Sequence, residues 1–256
     1  MAMEYFKGKV KENIELVEGI YSLVVEHEAK INAGQFYMIT TSNTFLGRPI
    51  SVFEVNGRPI SVCEVNGKDV RFVYATVGAG TNEMKKMISG DEIEIIGPLG
   101  NGFDINKDYG KVALVSGGIG TAPMLELAKS LRKNNKDMKM DFYGGFRDDI
   151  YLVDEISEYV DEVKISTNTG KHGHKGFVTE ILPLQEYDTV LCCGPEIMMK
   201  KVVEMCREAK VNVYISMEKH MACGVGACLV CTCKTKSGNK RTCKDGPVFN
   251  GLEVEF

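Results

Sequence analysis

The chain has 256 residues, 44% hydrophobic and 26% charged, with a net charge of −4 at neutral pH. That much apolar material supports one large folded domain or two to three smaller ones. The acidic balance, with no Lys/Arg-rich block, argues against nucleic acid or an anionic membrane surface as a partner.

The stretch MAMEYFKGKVKENIELVEG lacks the apolar core of a secretory signal. No run approaches the ~20 apolar residues of a spanning helix. A cytoplasmic location is expected, where thiols stay reduced.

Segments 19–27, 35–41, 60–65, 70–77 and 91–100 are rich in Val, Ile, Phe and Tyr, with Gly, Asn and Asp between them. Short strands at this spacing predict an antiparallel barrel or sandwich, closed by a short helix over 82–90. Within it GRPISVFEVN (47–56) is followed directly by GRPISVCEVN (57–66), a ten-residue repeat differing at one position. Two copies do not make a solenoid; a local duplication that lengthened a loop or hairpin is the modest reading.

From about residue 110 strands and helices alternate. Strands are predicted at 111–118, 138–146, 163–168, 189–195 and 211–216, and helices at 122–135, 150–160, 176–183 and 196–209. This alternation predicts a doubly wound parallel α/β sheet. After Ser216 the chain becomes small, cysteine-rich and loop-like. The fold class is therefore multi-domain: an antiparallel β-barrel over 1–105, an α/β unit over 106–216 and a small C-terminal module over 217–256.

Of nine cysteines, Cys63, Cys192, Cys193 and Cys206 lie in apolar contexts and are read as small buried hydrophobes. The other five are clustered. Cys223, Cys228, Cys231 and Cys243 follow C-x4-C-x2-C-x11-C, which begins with the plant-type [2Fe–2S] spacing. Gly224, Gly226 and Ala227 keep that loop free of bulk, so backbone N–H groups can reach the sulfurs and help set the potential. Structural zinc is the alternative, but it takes paired C-x2-C knuckles, and only Cys228 and Cys231 form one. Cys233 alternates with Cys231 along an extended segment and is read as pointing away from the metal, with substitute ligation the lesser alternative.

SGGIGTAPM (116–124) joins a predicted buried strand to an amphipathic helix. Gly117, Gly118 and Gly120 permit a tight turn and close approach of a phosphate to the helix start. Such turns also serve as plain connections, but ligands bind at the carboxyl ends of strands in these sheets. Cys193, Gly194 and Pro195 in CCGPEIM form a second such turn that could floor a nicotinamide pocket. In the barrel, Arg58, Pro59, Ile60 and Ser61, or the first copy with Arg48 and Ser51, are candidates for a flavin, together with Tyr74, Ala75, Thr76, Gly80 and Thr81 of YATVGAGT. An Arg would neutralise pyrophosphate, and Ser and strand backbone would hydrogen-bond the ring edge; an ordinary hairpin with an exposed Arg is the plain alternative. His172 and His174 have no third ligand in view and are read as a solvated loop. No Ser/His/Asp arrangement or paired-carboxylate motif stands out, which suits chemistry carried by cofactors.

RPIS, YATVGAGT, GPLGNGF, GGIGTAP, CCGPEIM and above all YISMEKHMACGVGACLVCTC with CKDGPVF resemble the electron-transfer subunits of type B dihydroorotate dehydrogenases, within the ferredoxin–NADP reductase superfamily. The resemblance runs in order from about residue 5 to the end. It implies an FAD-binding barrel, an NAD-binding domain and a [2Fe–2S] module. It also implies a separate FMN-containing catalytic subunit, in a heterotetramer of two plus two chains. Dihydroorotate would be oxidised on that partner, in pyrimidine biosynthesis, and electrons would pass through the cluster and FAD here to NAD+. Three modules in 256 residues leave no room for a second barrel of ~250 residues to do the substrate chemistry, so the chain alone is not expected to oxidise dihydroorotate. Relatives serving hydrogenases, sulfide or ferredoxin systems, or oxygenases are the alternative within the superfamily, and a non-enzymatic zinc protein is the alternative outside it.

The family pattern has one RPIS. An Asn66-Gly67 hairpin turn would place Ser61 across from Phe72 and Arg58 near Ala75, so the second copy is favoured and the extra ten residues lengthen the preceding loop at small cost. GGFRDD (144–149) offers both Arg147 and acidic neighbours, which leaves NAD against NADP open.

Overall fold

The computed structural model describes residues 4–28, 30–40 and 58–256. The chain begins with β1 (Glu4–Val17), β2 (Ile20–Glu26), β3 (Phe36–Thr40), β4 (Arg58–Asn66) and β5 (Asp69–Ala75). A short helix α1 (Ala79–Met84) and β6 (Glu92–Leu99) follow. These strands close into a barrel in the order β1-β2-β5-β4-β3-β6. β1 bends to pair with both β2 and β6, so closure removes the free edges. Alternation in β6 sends Ile93 and Ile95 inward, against Leu23, Val25, Tyr37 and Phe72.

Strand prediction starts at residue 19, whereas the structure places the 14-residue β1 ahead of it. Lys and Glu on its exposed positions dilute the β-branched signal. The expected helix over 82–90 is instead the six-residue α1. The β4–β5 hairpin also departs from expectation. Asn66 pairs with Asp69, so the turn residues are Gly67 and Lys68, and a bulge between Val62 and Glu64 puts Val62, not Ser61, opposite Phe72. The extra residue at the bulge, Cys63, is fully buried.

The α/β unit contains β7 (Val112–Gly117), α2 (Ala122–Asn134), β8 (Met140–Phe146), α3 (Val153–Ser157), β9 (Glu162–Thr167), β10 (His174–Lys175), β11 (Thr189–Cys193), α4 (Glu196–Ala209) and β12 (Asn212–Ser216). β7 and β11 are buried along their whole length, as expected of parallel strands covered on both faces. Met124, Leu127, Ala128 and Leu131 form the buried stripe of α2, and Met199, Val202, Val203 and Cys206 that of α4, both at helical spacing. The helix expected over 176–183 is only a 3-10 turn at Val178–Glu180, because Gly176 and Pro183 leave too few residues to propagate a helix.

The C-terminal module is not merely loop. β13 (Thr232–Thr235), β14 (Gly238–Arg241) and β16 (Val254–Glu255) make a small sheet, while β15 (Val248–Asn250) pairs antiparallel with β12. The large sheet therefore runs β10-β9-β8-β7-β11-β12-β15. No helix among the described residues is long and apolar enough to cross a membrane.

Barrel and α/β unit meet where the β4–β5 hairpin lies on α2. Glu126 accepts the Val65 N–H at 2.9 Å, and Lys129 Nζ reaches Glu64 Oε1 at 2.8 Å and Asn66 Oδ1 at 2.6 Å. Arg71 donates to Ser22 Oγ at 2.8 Å and pairs with Glu155 of α3. Burial raises the pKa of the Glu126 carboxyl, and the Val65 N–H and Ser130 hydroxyl oppose that rise. Glu126→Ala strands the Val65 N–H and is expected to cost about 1–3 kcal/mol, read as a lowered urea midpoint, while Lys133→Ala at the exposed end of α2 leaves it unmoved.

Candidate cofactor sites

The tail cysteines come together as two pairs. Cys231 Sγ and Cys243 Sγ lie 3.2 Å apart and both are buried. Cys223 Sγ accepts N–H groups from Val225, Ala227 and Cys228 at 3.4, 3.3 and 3.4 Å. Desolvation raises the Cys223 thiol, but backbone donors led by Cys228 and Val225, with the Cys228 side chain, outweigh it and bring it down to about 6. Burial and the adjoining Cys231 push Cys243 up to about 12. Gly224 and Gly226 both take left-handed backbone, the conformation that turns successive amides toward Cys223. Arg241 holds this loop: it donates to the Gly226 carbonyl at 3.3 Å and forks onto Asp245 at 3.0 Å. That guanidinium lowers the Asp245 carboxyl to about 2.

Two thiol pairs suit the two irons of a [2Fe–2S] centre. A structural zinc instead takes four ligands around one ion. Cys233 stays within β13 opposite Lys240, and it is buried.

A cavity of about 810 Å³ opens between barrel, α/β unit and tail. From the barrel, Arg58, Pro59, Ile60 and Ser61 line one wall and Tyr74, Ala75, Gly78 and Thr81 another. Arg48 and Ser51 lie outside the described residues. Gly80 lets Arg58 lie across α1, since a Cβ there would stand 2.9 Å from Arg58 Nε. The hydroxyls are committed elsewhere. Tyr74 donates to Asn13 Oδ1 at 3.1 Å, Thr76 to the Gly19 carbonyl at 3.2 Å, and Thr81 accepts the Val77 and Gly78 amides at 3.0 and 3.2 Å. Thr76 is thus turned into the barrel wall and does not line the cavity.

The two glycine turns are neighbours at the carboxyl ends of β7 and β11. A Cβ on Gly120 would stand 2.4 Å from the Cys193 carbonyl oxygen, so only glycine lets the turns touch. Gly117 packs on Pro195, and Gly118 faces open space. The chain runs from β7 outward to β9, then crosses back to β11 on the other side of β7. That reversal is the switch point at which such sheets bind ligands.

Further wall residues lie outside the sites read from sequence: Phe36, Ile119, Glu196, Glu218 and Met221. Their only local signal is proximity to the GGIGTAP, CCGPEIM and MEKHM stretches, and Phe36 carries none. Phe36 also belongs to one buried cluster with Met38, Leu99, Cys231 and Cys243, so the cavity wall and two of the thiols share a packed core. Asn101 of GPLGNGF ties the barrel to the cysteine module, donating through its side chain to the Lys244 carbonyl at 2.9 Å.

Comparison with known proteins agrees with this geometry. Residues 218–255 match the iron–sulfur cluster binding domain of dihydroorotate dehydrogenase B, and residues 114–204 an oxidoreductase NAD-binding domain. The dihydroorotate dehydrogenase B (NAD(+)) electron transfer subunit of Clostridium perfringens is 93% identical over 100% of both chains. The corresponding subunit of Clostridium acetobutylicum is 51% identical, over 99% of this chain and 98% of its own. Among solved structures, an NADH-dependent reduced ferredoxin–NADP oxidoreductase superposes with a TM-score of 0.83 at 28% identity, over 97% of this chain and 89% of its own. Order of modules, paired thiols and near-complete relatives agree: the chain belongs to the family of dihydroorotate dehydrogenase B electron-transfer subunits.

Proposed function

We propose that the chain carries electrons from an FMN-containing dihydroorotate dehydrogenase subunit, by way of a [2Fe–2S] cluster and FAD, to NAD+. The observation that carries this reading is Phe36, which lines the cavity and shares a buried cluster with Cys231 and Cys243. A flavin in that cavity would adjoin the packed core that holds two of the thiols. FAD supplies the exchange between single electrons and a hydride pair.

The chain's own residues do the positioning. Cys223 and Cys228 would hold one iron, and Cys231 and Cys243 the other. Arg58 would offset the pyrophosphate charge, and the backbone of Pro59 to Ser61 and of Tyr74 to Ala75 would meet the ring edge. Gly117, Gly118 and Gly120 admit the dinucleotide phosphates, with Cys193, Gly194 and Pro195 as the pocket floor. Residues 1–105, 106–216 and 217–256 are the three working modules. Exposed Leu229 and Val230 flank the exposed Cys228 and offer a dry contact for the catalytic partner, in a cytoplasmic assembly of two plus two chains serving pyrimidine biosynthesis.

Anaerobically purified protein is expected to hold two irons and two sulfides per chain, measured by elemental analysis. Serine at Cys223, Cys228, Cys231 or Cys243 is expected to abolish that content, and Cys233→Ser to retain it; iron-free wild type sinks the proposal. Arg58→Ala is expected to release FAD on gel filtration while Arg48→Ala keeps it, and the reverse result assigns the site to the first repeat. Dihydroorotate-dependent NAD+ reduction is expected only when the catalytic subunit is added back. Turnover by this chain alone would refute the division of labour.

A further inference from the structure

The glycine turns account for one end of a dinucleotide only. The cavity reaches them from the β11–β12 side, through Glu196 and Ser216. With the nicotinamide in that cavity and the pyrophosphate at β7, the adenosine extends the other way, over the carboxyl ends of β8 and β9, each about 4.8 Å further along the sheet.

Two loops meet there. Asp148, just past β8, accepts the Thr169 backbone N–H at 3.2 Å and the Thr169 hydroxyl at 2.5 Å, both through Oδ1. The Asn168 N–H donates to the Arg147 carbonyl at 2.8 Å, so the loops are tied twice. Asp148 is half-buried, and among the described residues its Oδ2 takes no hydrogen bond or ion pair. One oxygen thus anchors the carboxylate, and the other is left without a recorded partner among the described residues. Asp149 is differently engaged: its Oδ1 lies 2.7 Å from Lys171 Nζ, and this bond lowers its pKa and neutralises the ammonium. Arg147 is exposed and has no ion pair among the described residues.

We infer that Asp148, clamped by Thr169, reads the adenosine ribose and makes this domain select NAD over NADP. The inference rests on the NAD reading given above. A fixed carboxylate accepts hydrogen bonds from a ribose 2′-hydroxyl. A 2′-phosphate would bring about −1.5 to −2 charges against it. Arg147 is the residue type that accommodates such a phosphate, and the adjoining carboxylate offsets its field.

The test uses the full chain loaded with FAD and cluster, with ferricyanide as electron acceptor, and follows kcat and KM for NADH and NADPH. Asp148→Asn keeps an acceptor for Thr169 but loses the charge. It is expected to raise the NADH KM about tenfold at little-changed kcat, and to shift the NADPH-to-NADH ratio of kcat/KM by about tenfold or more toward NADPH. Adding Arg147→Ala is expected to remove the NADPH gain. Thr169→Val, which removes the hydroxyl bond but keeps the backbone N–H and the charge, is expected to raise the NADH KM about threefold and leave NADPH excluded. If NADH bleaches the wild-type flavin yet Asp148→Asn leaves both the ratio and the NADH KM unchanged, the inference is overturned alone. If NADH does not bleach it, the NAD reading itself falls, and the inference with it.

Discussion

The pairing of β15 with β12 is the constraint on which the arrangement depends. Ser216, Ile215 and Tyr214 face Val248, Phe249 and Asn250 across an antiparallel ladder, which returns the tail to the edge of a sheet whose other neighbouring strands are parallel. A ladder of this kind sets register along the strand and leaves little freedom across it. The cysteine loop, held between the end of β12 and the start of β15, therefore has one place to go. It packs on Phe36, Met38 and Leu99 of the barrel, and the cavity wall from Ser216 to Met221 is formed by the same segment.

A second join works by different physics. The β4–β5 hairpin meets α2 through Glu126, Lys129, Glu64 and Arg71, charged groups that are mostly shielded from water. Such partners contribute modestly to net stability but are costly to leave unpaired, so they specify one mutual orientation. The hairpin carries Arg58 to Ser61 at its far end, and α2 begins directly after Gly118 to Thr121. Barrel wall and glycine turn are thereby held at fixed separation. Electron transfer between cofactors requires that separation to be constant, and neither partner surface could provide it alone.

The chemistry assigned to the family is carried by cofactors, and the protein's contribution is distance, access and field. The cysteine loop shows this most directly. Three backbone amides point at Cys223, and Arg241 with Asp245 fixes the turn that aims them. Hydrogen bonds to cluster sulfurs are among the protein's main means of setting potential. Residues with no redox chemistry of their own thus shape the cysteine loop as fully as the thiols do.

Some of this was legible in the linear chain, because it is written in short-range patterns. The spacing of Cys223, Cys228, Cys231 and Cys243, the apolar run of β7 ahead of SGGIGTAP, and the helical stripes of α2 and α4 are each complete within a dozen or so residues, so barrel, parallel sheet and cluster module follow without coordinates. What depends on distant partners did not. β1 is a strand because β2 and β6 pair with it on either side, not because of its own charged composition. Cys63 bulges, and shifts Ser61 by one position, because the packed barrel decides which face of β4 turns inward. Thr76 looked available for a flavin, yet its hydroxyl is bound to Gly19, fifty-seven positions away. Phe36 shares a buried cluster with Cys231 and Cys243, which lie some two hundred positions further along the chain. The sequence by itself determined the order of barrel, parallel sheet and cysteine module, since spacing and periodicity are local; only the tertiary structure decided which residues of the three meet, since side-chain partners are chosen by packing across the whole chain.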